Sequence, residues 1–376
     1  MKILIGADLV PTKSNAEHFA SENVDELLGN ELKEILSKAD FRIFNLEVPL
    51  TDIETPIKKC GPALIAPTDT AVGMKSIGVD LVTLANNHVM DQGIHGLEST
   101  CECLRKHLID FVGVGKNVKE ASKSYVFSIE DKKIGVYACA EHEFSIATEL
   151  KAGANPYDPL ESFDHVSILK ETCDYVIVLY HGGKEHYRYP SPELQRICRK
   201  FVDKGADLVI CQHSHCIGCE EKYNDGTIVY GQGNFLFDNQ DNEFWETGLL
   251  VEITGEFEVN YIPICKNHAA VRLATDEERQ KILWKFEERS KAILNQGFVQ
   301  KEYGTFAANM ADWYAVALSG IKHRSLIVRL VNKLTGGKFI KFLVRRKYTE
   351  ENKLMIRNYV ECEAHRELLL RGVNKE

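Results

Sequence analysis

The sequence predicts a layered α/β domain followed by a mainly helical region. Three observations carry that expectation. From residue 1 to about 265, short β-rich runs alternate with helical patterns, as in an α/β layered fold. The later runs follow one another closely, which favours mixed or antiparallel pairing over a purely parallel sheet. Beyond about residue 265 helical patterns dominate. The expected division is therefore residues 1–265 and 266–376.

In chain order, the strand candidates are Lys2–Ile5, Arg42–Leu46, Asp80–Leu84, Tyr125–Ile129, Ile134–Cys139, Tyr175–Leu179, Asp207–Cys211, Thr227–Tyr230, Gly248–Ile253 and Val259–Ile264. Helices are expected at Val24–Ser37, Thr68–Ser76, His95–His107 and Pro192–Lys204. Thr275 followed by Glu278 has capping-box spacing and opens a further helix carrying Ile282, Leu283, Phe286 and Ile293.

With 376 residues the chain can bury a sizeable core and exceeds a single small fold. Its 44% hydrophobic and 27% charged residues exclude a disordered or fibrous chain. A net charge of -9 argues against nucleic-acid binding. The eleven cysteines form no repeated framework and read as buried free thiols. The Cys101/Cys103 pair and the Cys211, Cys216, Cys219 group lack a matching second pair at zinc-finger spacing. The first apolar run is too short for a signal peptide, and no stretch of about 18 apolar residues occurs. A cytoplasmic location, with peripheral contact at the inner membrane surface, is expected.

That peripheral contact would use the basic segment 322–347, which carries Lys322, Arg324, Arg329, Lys333, Lys338, Lys341, Arg345, Arg346 and Lys347 without an acid. Leu326, Ile327, Leu330, Leu334 and Phe342 are interleaved with them, a pattern suited to anionic lipid. The simpler alternative is a helical hairpin turning at Gly336-Gly337 with a solvated basic face.

Five strand candidates end in polar groups able to ligate a metal: Asp8; Asn45 and Glu47; Asn86, Asn87, His88 and Asp91; His181; and His213 with His215. Any one of these would ordinarily be a cap or turn former. Their agreement across five strand ends points to a divalent-metal site, because sheets converge ligands where strands end. His213-Ser-His215 is expected to present both imidazoles to one side from extended backbone. Gly182 and Gly183 would let substrate or backbone approach His181. Asn234, in Gly233-Asn234-Phe235, is read as part of a site wall. No serine-hydrolase elbow, zincin helix or kinase set is present.

This ordered set of motifs resembles the CapA family of poly-gamma-glutamate capsule biosynthesis proteins over about residues 1–250. That family is similar to calcineurin-like metallophosphoesterases, so the resemblance implies a four-layer α/β/β/α sandwich holding one or two divalent ions (Mn, Fe, Zn or Mg). It implies that Glu47 bridges the metals, with Asp8 and His215 on one and Asn87, His181 and His213 on the other. His88, Glu185 and Asp91 are then the proton-handling groups, and Asn45, Asn86, Gly182, Gly183 and Asn234 line the substrate. Leu9 and Val10 stand where the metallophosphoesterase Asp-x-His motif would place its histidine, and Glu47 replaces the usual bridging aspartate.

The implied function is metal-dependent hydrolysis of a phosphoester, peptide or gamma-glutamyl bond in the making of an envelope polymer. The implied partners are that polymer or its precursor, and a membrane or synthase contact through the basic segment. A non-catalytic assembly factor is the rival reading, and a metal-free α/β domain the plainest one.

Overall fold

The computed structural model describes residues 1–237, 242–318 and 325–373. It divides into two compact units, Met1–Gln300 and Lys301–Glu376.

The first unit is built on two large sheets, with a short two-stranded pair, 114–115 and 153–154, beside them. One runs in the order 270–273, 258–267, 247–254, 2–10, 41–46, 81–83, 110–112, with 234–237 also paired to 2–10. The four strands from 2–10 to 110–112 are parallel, and the other half is antiparallel. The second sheet runs 220–223, 226–230, 208–212, 175–181, 132–140, 125–129, parallel at its centre and antiparallel at both edges.

Side-chain alternation in the second sheet explains the layering. Ile177, Leu179, Leu208, Ile210 and Val229 join the core shared with the first sheet. Their neighbours Val176, Val178, Val209, Cys211 and Ile228 face the other way, onto Phe201, Cys198 and Val166 of helices Pro192–Asp203 and Ser162–Lys170. A strand buried on both faces reads as a continuous apolar run. Helices Asn30–Ser37, Thr70–Ile77 and Gly93–Lys106 contribute Leu32, Met74 and Leu104 to the first sheet's core. The four-layer α/β/β/α sandwich is thus present.

All ten expected strands form, with shifted ends. The expected helix Val24–Ser37 is instead two, Val24–Leu27 and Asn30–Ser37, broken at Leu28–Gly29. Leu28 is extended and bridges Val271 of the first sheet. The change of pattern near residue 265 does not end the first unit. The strand Glu258–Asn267 crosses it, Ala270–Leu273 extends the same sheet, and helix Asp276–Ile293 packs Phe286 against Tyr261. The capping box between Thr275 and Glu278 is formed.

The second unit is helical. Leu326–Leu334 and Lys338–Lys347 form the hairpin, with Gly336 and Gly337 at φ of 58° and 81° making the turn. Leu326, Ile327, Leu330, Leu334 and Phe342 are exposed. Lys322 and Arg324 lie outside the described residues. Among the described residues no helix is long and apolar enough to cross a membrane.

Candidate metal centre

The carboxyl ends of the parallel strands in both sheets meet at one place. In the first sheet, Asp8 is in register with Asn45 on one side and Asn234 on the other. The register shifts between Ile5 and Asp8. Gly6 lies at that irregularity, where a Cβ would fall 2.1 Å from the Phe44 ring. The close approach of Phe44 therefore requires glycine. The second sheet contributes His181, the last residue of its strand, and His213 and His215 just past Gln212.

His213 and His215 do not project from extended backbone. Their φ angles are 84° and 52°, left-handed conformations that non-glycine residues adopt at a cost and that cluster at functional sites. Two such residues, and not the pleat of a strand, turn both imidazoles inward. Their rings lie 6.0 Å apart.

Two groups result, sharing one carboxylate. Glu47, His181 and His213 bring ligand-type atoms together, as do Asp8, Glu47 and His215, each set within 4.8 Å. His181 Nε2 lies 3.0 Å from Asn87 Oδ1, 3.1 Å from His213 Nδ1 and 3.5 Å from Glu47 Oε1. His215 Nδ1 lies 3.2 Å from Asp8 Oδ2 and 2.9 Å from Asn234 Oδ1. Ligand atoms held about 2.0–2.2 Å from one ion stand roughly 3 Å apart. Glu47 Oε1 is buried and accepts no hydrogen bond.

The electrostatics suit a divalent cation. Burial, then the charge of Asp8, pushes the Glu47 carboxyl up to about 8. Burial works against Asp8 ionising too, but His215 holds its carboxyl below the ordinary value. Burial pulls His215 down, yet the Asp8 hydrogen bond and the Glu47 charge outweigh it and raise the imidazole to about 9. Burial lowers His181 to about 4 and His213 well below its ordinary range. Burial thus opposes uncompensated charge on these groups, and a divalent ion held by them would compensate it once the ligands had shed their protons.

Asn45 and Asn86 are fully buried, not substrate-facing as expected. Asn45 Nδ2 donates to Asp8 Oδ1 at 2.8 Å, and Asn86 Nδ2 donates to Asn45 Oδ1 and to the Leu46 carbonyl. They hold the ligand carboxylates in place. Gly182 makes room for Glu141, since a Cβ there would lie 2.6 Å from Glu141 Cγ, while Gly183, at φ of 106°, donates its amide to the Glu141 carboxylate at 3.0 Å. Asn234 holds His215 from the strand Asn234–Phe237.

Asp91 is buried and fully engaged. It meets Lys59 Nζ at 2.5 Å and His88 Nδ1 at 2.6 Å, and accepts the Leu64 amide at 2.6 Å. It is therefore placed to orient His88 and not to meet substrate itself. Glu185 is exposed, within electrostatic reach of His213 and His215.

Several residues had no sequence signal. Lys59 comes from an aperiodic loop after Thr55-Pro56. Ser145 donates to the Asn87 carbonyl at 2.7 Å. Trp245 stacks on His215 at 4.6 Å and donates to His186 at 3.1 Å, while Phe244 stacks on the His186 ring at 5.2 Å. All eleven cysteines are free, and among the described residues none joins a metal-competent group.

Over 181 residues the chain is 29% identical to a capsule biosynthesis protein CapA of Bacillus anthracis, covering 46% of this chain and 44% of that one. Over 200 residues it is 31% identical to a PGA biosynthesis protein CapA of Bacillus subtilis, covering 51% and 52%. The chain thus spans about half the length of these curated relatives. A crystal structure described as a novel phosphatase from Mycoplasma pneumoniae aligns at a TM-score of 0.45 and 16% identity, over 71% of this chain and 94% of that one. Residues 3–239 match the model of the bacterial capsule synthesis protein PGA_cap family, and the chain belongs to that family.

Proposed function

We propose that this chain is a metal-dependent hydrolase acting in the synthesis or processing of a capsule or other envelope polymer, on a phosphoester, amide or gamma-glutamyl bond. The observation that carries the reading is the pair of ligand groups sharing buried Glu47, whose Oε1 accepts no hydrogen bond. Asn87, His181 and His213 would hold one ion with Glu47, and Asp8 and His215 a second. Bound there, divalent metal supplies an acidified water and offsets negative charge developing on the substrate.

The chain's own residues do the rest. Asp91, neutralised by Lys59, accepts from His88 Nδ1 and so fixes the tautomer that leaves His88 Nε2 to hold or give a proton. Glu185 stands exposed as a second proton acceptor. Asn45 and Asn234 keep Asp8 and His215 oriented, the usual task of groups behind metal ligands. The Trp245 face over His215 shields that imidazole from water.

The test is elemental analysis of purified protein, with hydrolysis of an aryl phosphate and of a gamma-glutamyl peptide. Bound transition metal and turnover that His213→Ala removes are the expected results. A metal-free protein inert across Mn, Fe, Zn and Mg overturns the reading.

A second reading, that the chain also works as an assembly factor at a membrane surface, is favoured by the exposed Leu326, Ile327 and Leu330 beside Arg329 and Lys333. Under it, Ile327→Glu with Leu330→Glu abolishes sedimentation with anionic vesicles and His213→Ala does not. Unchanged sedimentation of the double variant rejects it.

A further inference from the structure

The first unit also carries a cleft of about 1290 Å³ that the hydrolytic centre does not use. One wall is helix Asp276–Ile293, and the others come from Arg188–Tyr189, Asn242–Thr247 and Cys265–Arg272. A drug-sized ligand fills roughly 300–1,000 Å³, so the space suits something larger than a single small ion.

Its charges form a pattern. Lys281, Lys285 and Arg289 recur every fourth residue of the helix and all line the cleft, so they form a row about 5–6 Å apart. Arg188 stands beside Arg289 at the end of this row. The two arginines donate to consecutive carbonyls, Ile217 at 3.0 Å and Gly218 at 2.6 Å. Among the described residues, none of these four cations has a carboxylate within ion-pair distance, whereas Arg272 in the same wall is paired with Glu278. Glu243 and Glu246 are the remaining acids of the lining. Burial and the charge of Arg188 hold Arg289 below its usual range. Two arginines facing one space without a counter-ion are stabilised by an incoming anion.

The row also has a direction. The Arg188 guanidinium lies 4.7 Å over the Phe244 ring, Phe244 stacks on His186, and Trp245 links His186 to His215. The Arg188 end is therefore the end beside the metal centre.

We propose that this cleft binds a stretch of a linear, carboxylate-bearing polymer, with successive acidic groups along Lys281, Lys285 and Arg289 and the strand entering the hydrolytic centre past Arg188. The proposal rests on the polymer reading above and assigns that polymer its anchoring subsite. It separates binding from bond cleavage, because none of the row residues is a candidate metal ligand.

The experiment is a calorimetric titration of the full chain with a gamma-linked glutamate oligomer, and separately with inorganic phosphate. Binding that weakens with added salt is expected. Arg289→Gln should weaken it about tenfold or more, the loss of a charge-assisted contact. Because Arg289 also holds the Gly218 carbonyl, the exposed pair Lys281→Gln with Lys285→Gln is measured alongside, and should weaken binding and flatten its salt dependence without shifting the melting temperature. His213→Ala should bind the oligomer as wild type does, even if hydrolysis fails, so that loss of the catalytic reading and loss of this one are told apart. The proposal is overturned if the oligomer does not bind, if the lysine pair binds it unchanged, or if phosphate binds as tightly as the oligomer.

Discussion

The two units bury opposite kinds of surface. The first places Asp8, Glu47, Asp91 and His181 inside, at 0–2% exposure, while its apolar strands are covered on both faces. The second leaves Leu326, Leu330 and Leu334 at 59–80% exposure, and helices Leu326–Leu334 and Glu350–Glu361 bury nothing. Buried charge is costly unless paired or bound to metal, and exposed clustered apolar surface marks an interaction face. The first unit thus encloses a polar site, and the second leaves clustered apolar side chains exposed.

The largest effect expected from breaking this contrast lies at Asp91. Lys59 is 3% exposed and Asp91 is 0% exposed in side-chain terms. Removing one member leaves the other charge buried and uncompensated, a loss of about 3–5 kcal/mol. Asp91→Asn should therefore lower the denaturant midpoint sharply and cut hydrolysis. Adding Lys59→Met should recover much of the stability and none of the activity, since His88 stays unoriented.

Next comes a paired truncation. Leu179→Ala, at a position 1% exposed between the sheets, should cost about 2–5 kcal/mol. Leu330→Ala, 59% exposed, should stay within about 0.5 kcal/mol. Equal losses in chemical denaturation would mean that Leu330 is covered in solution.

The smallest effect is at the start of helix Asp276–Ile293. Arg272, then the Thr275 amide, hold the Glu278 carboxyl well below its ordinary value of 4.5. A depressed carboxyl adds stability that is complete above its unfolded value and is lost as pH falls below it. Glu278→Gln should thus cost about 0.3–1.5 kcal/mol near neutral pH, with the difference from wild type shrinking below pH 4.5. A constant difference down to acid pH would remove the electrostatic part of the cap.

Most of the fold was legible because its determinants are local. Runs such as Tyr175–Leu179 are apolar on both faces, and Thr275 with Glu278 is a cap within four residues. The unread elements are short or weakly patterned. Asp110–Val112 has three residues, Asn234–Phe237 follows a glycine pair that reads as loop, and Ser162–Lys170 mixes polar and apolar residues without a clear face. The residues of the two candidate ligand groups could be picked out because each follows an apolar strand-forming run. Its surroundings were not, since Lys59, Glu141, Ser145 and Trp245 reach the site from loops whose paths depend on tertiary contacts. The left-handed backbone at His213 and His215 is likewise set by packing and leaves no mark in His-Ser-His.

The central claim is that Glu47 joins two ligand groups around divalent metal. Metal content of wild type and Glu47→Gln, measured by elemental analysis after exchange into metal-free buffer, tests it most directly. Bound transition metal in the wild type and its loss in the variant are predicted. A wild type that retains none, or a variant that retains as much, would contradict it.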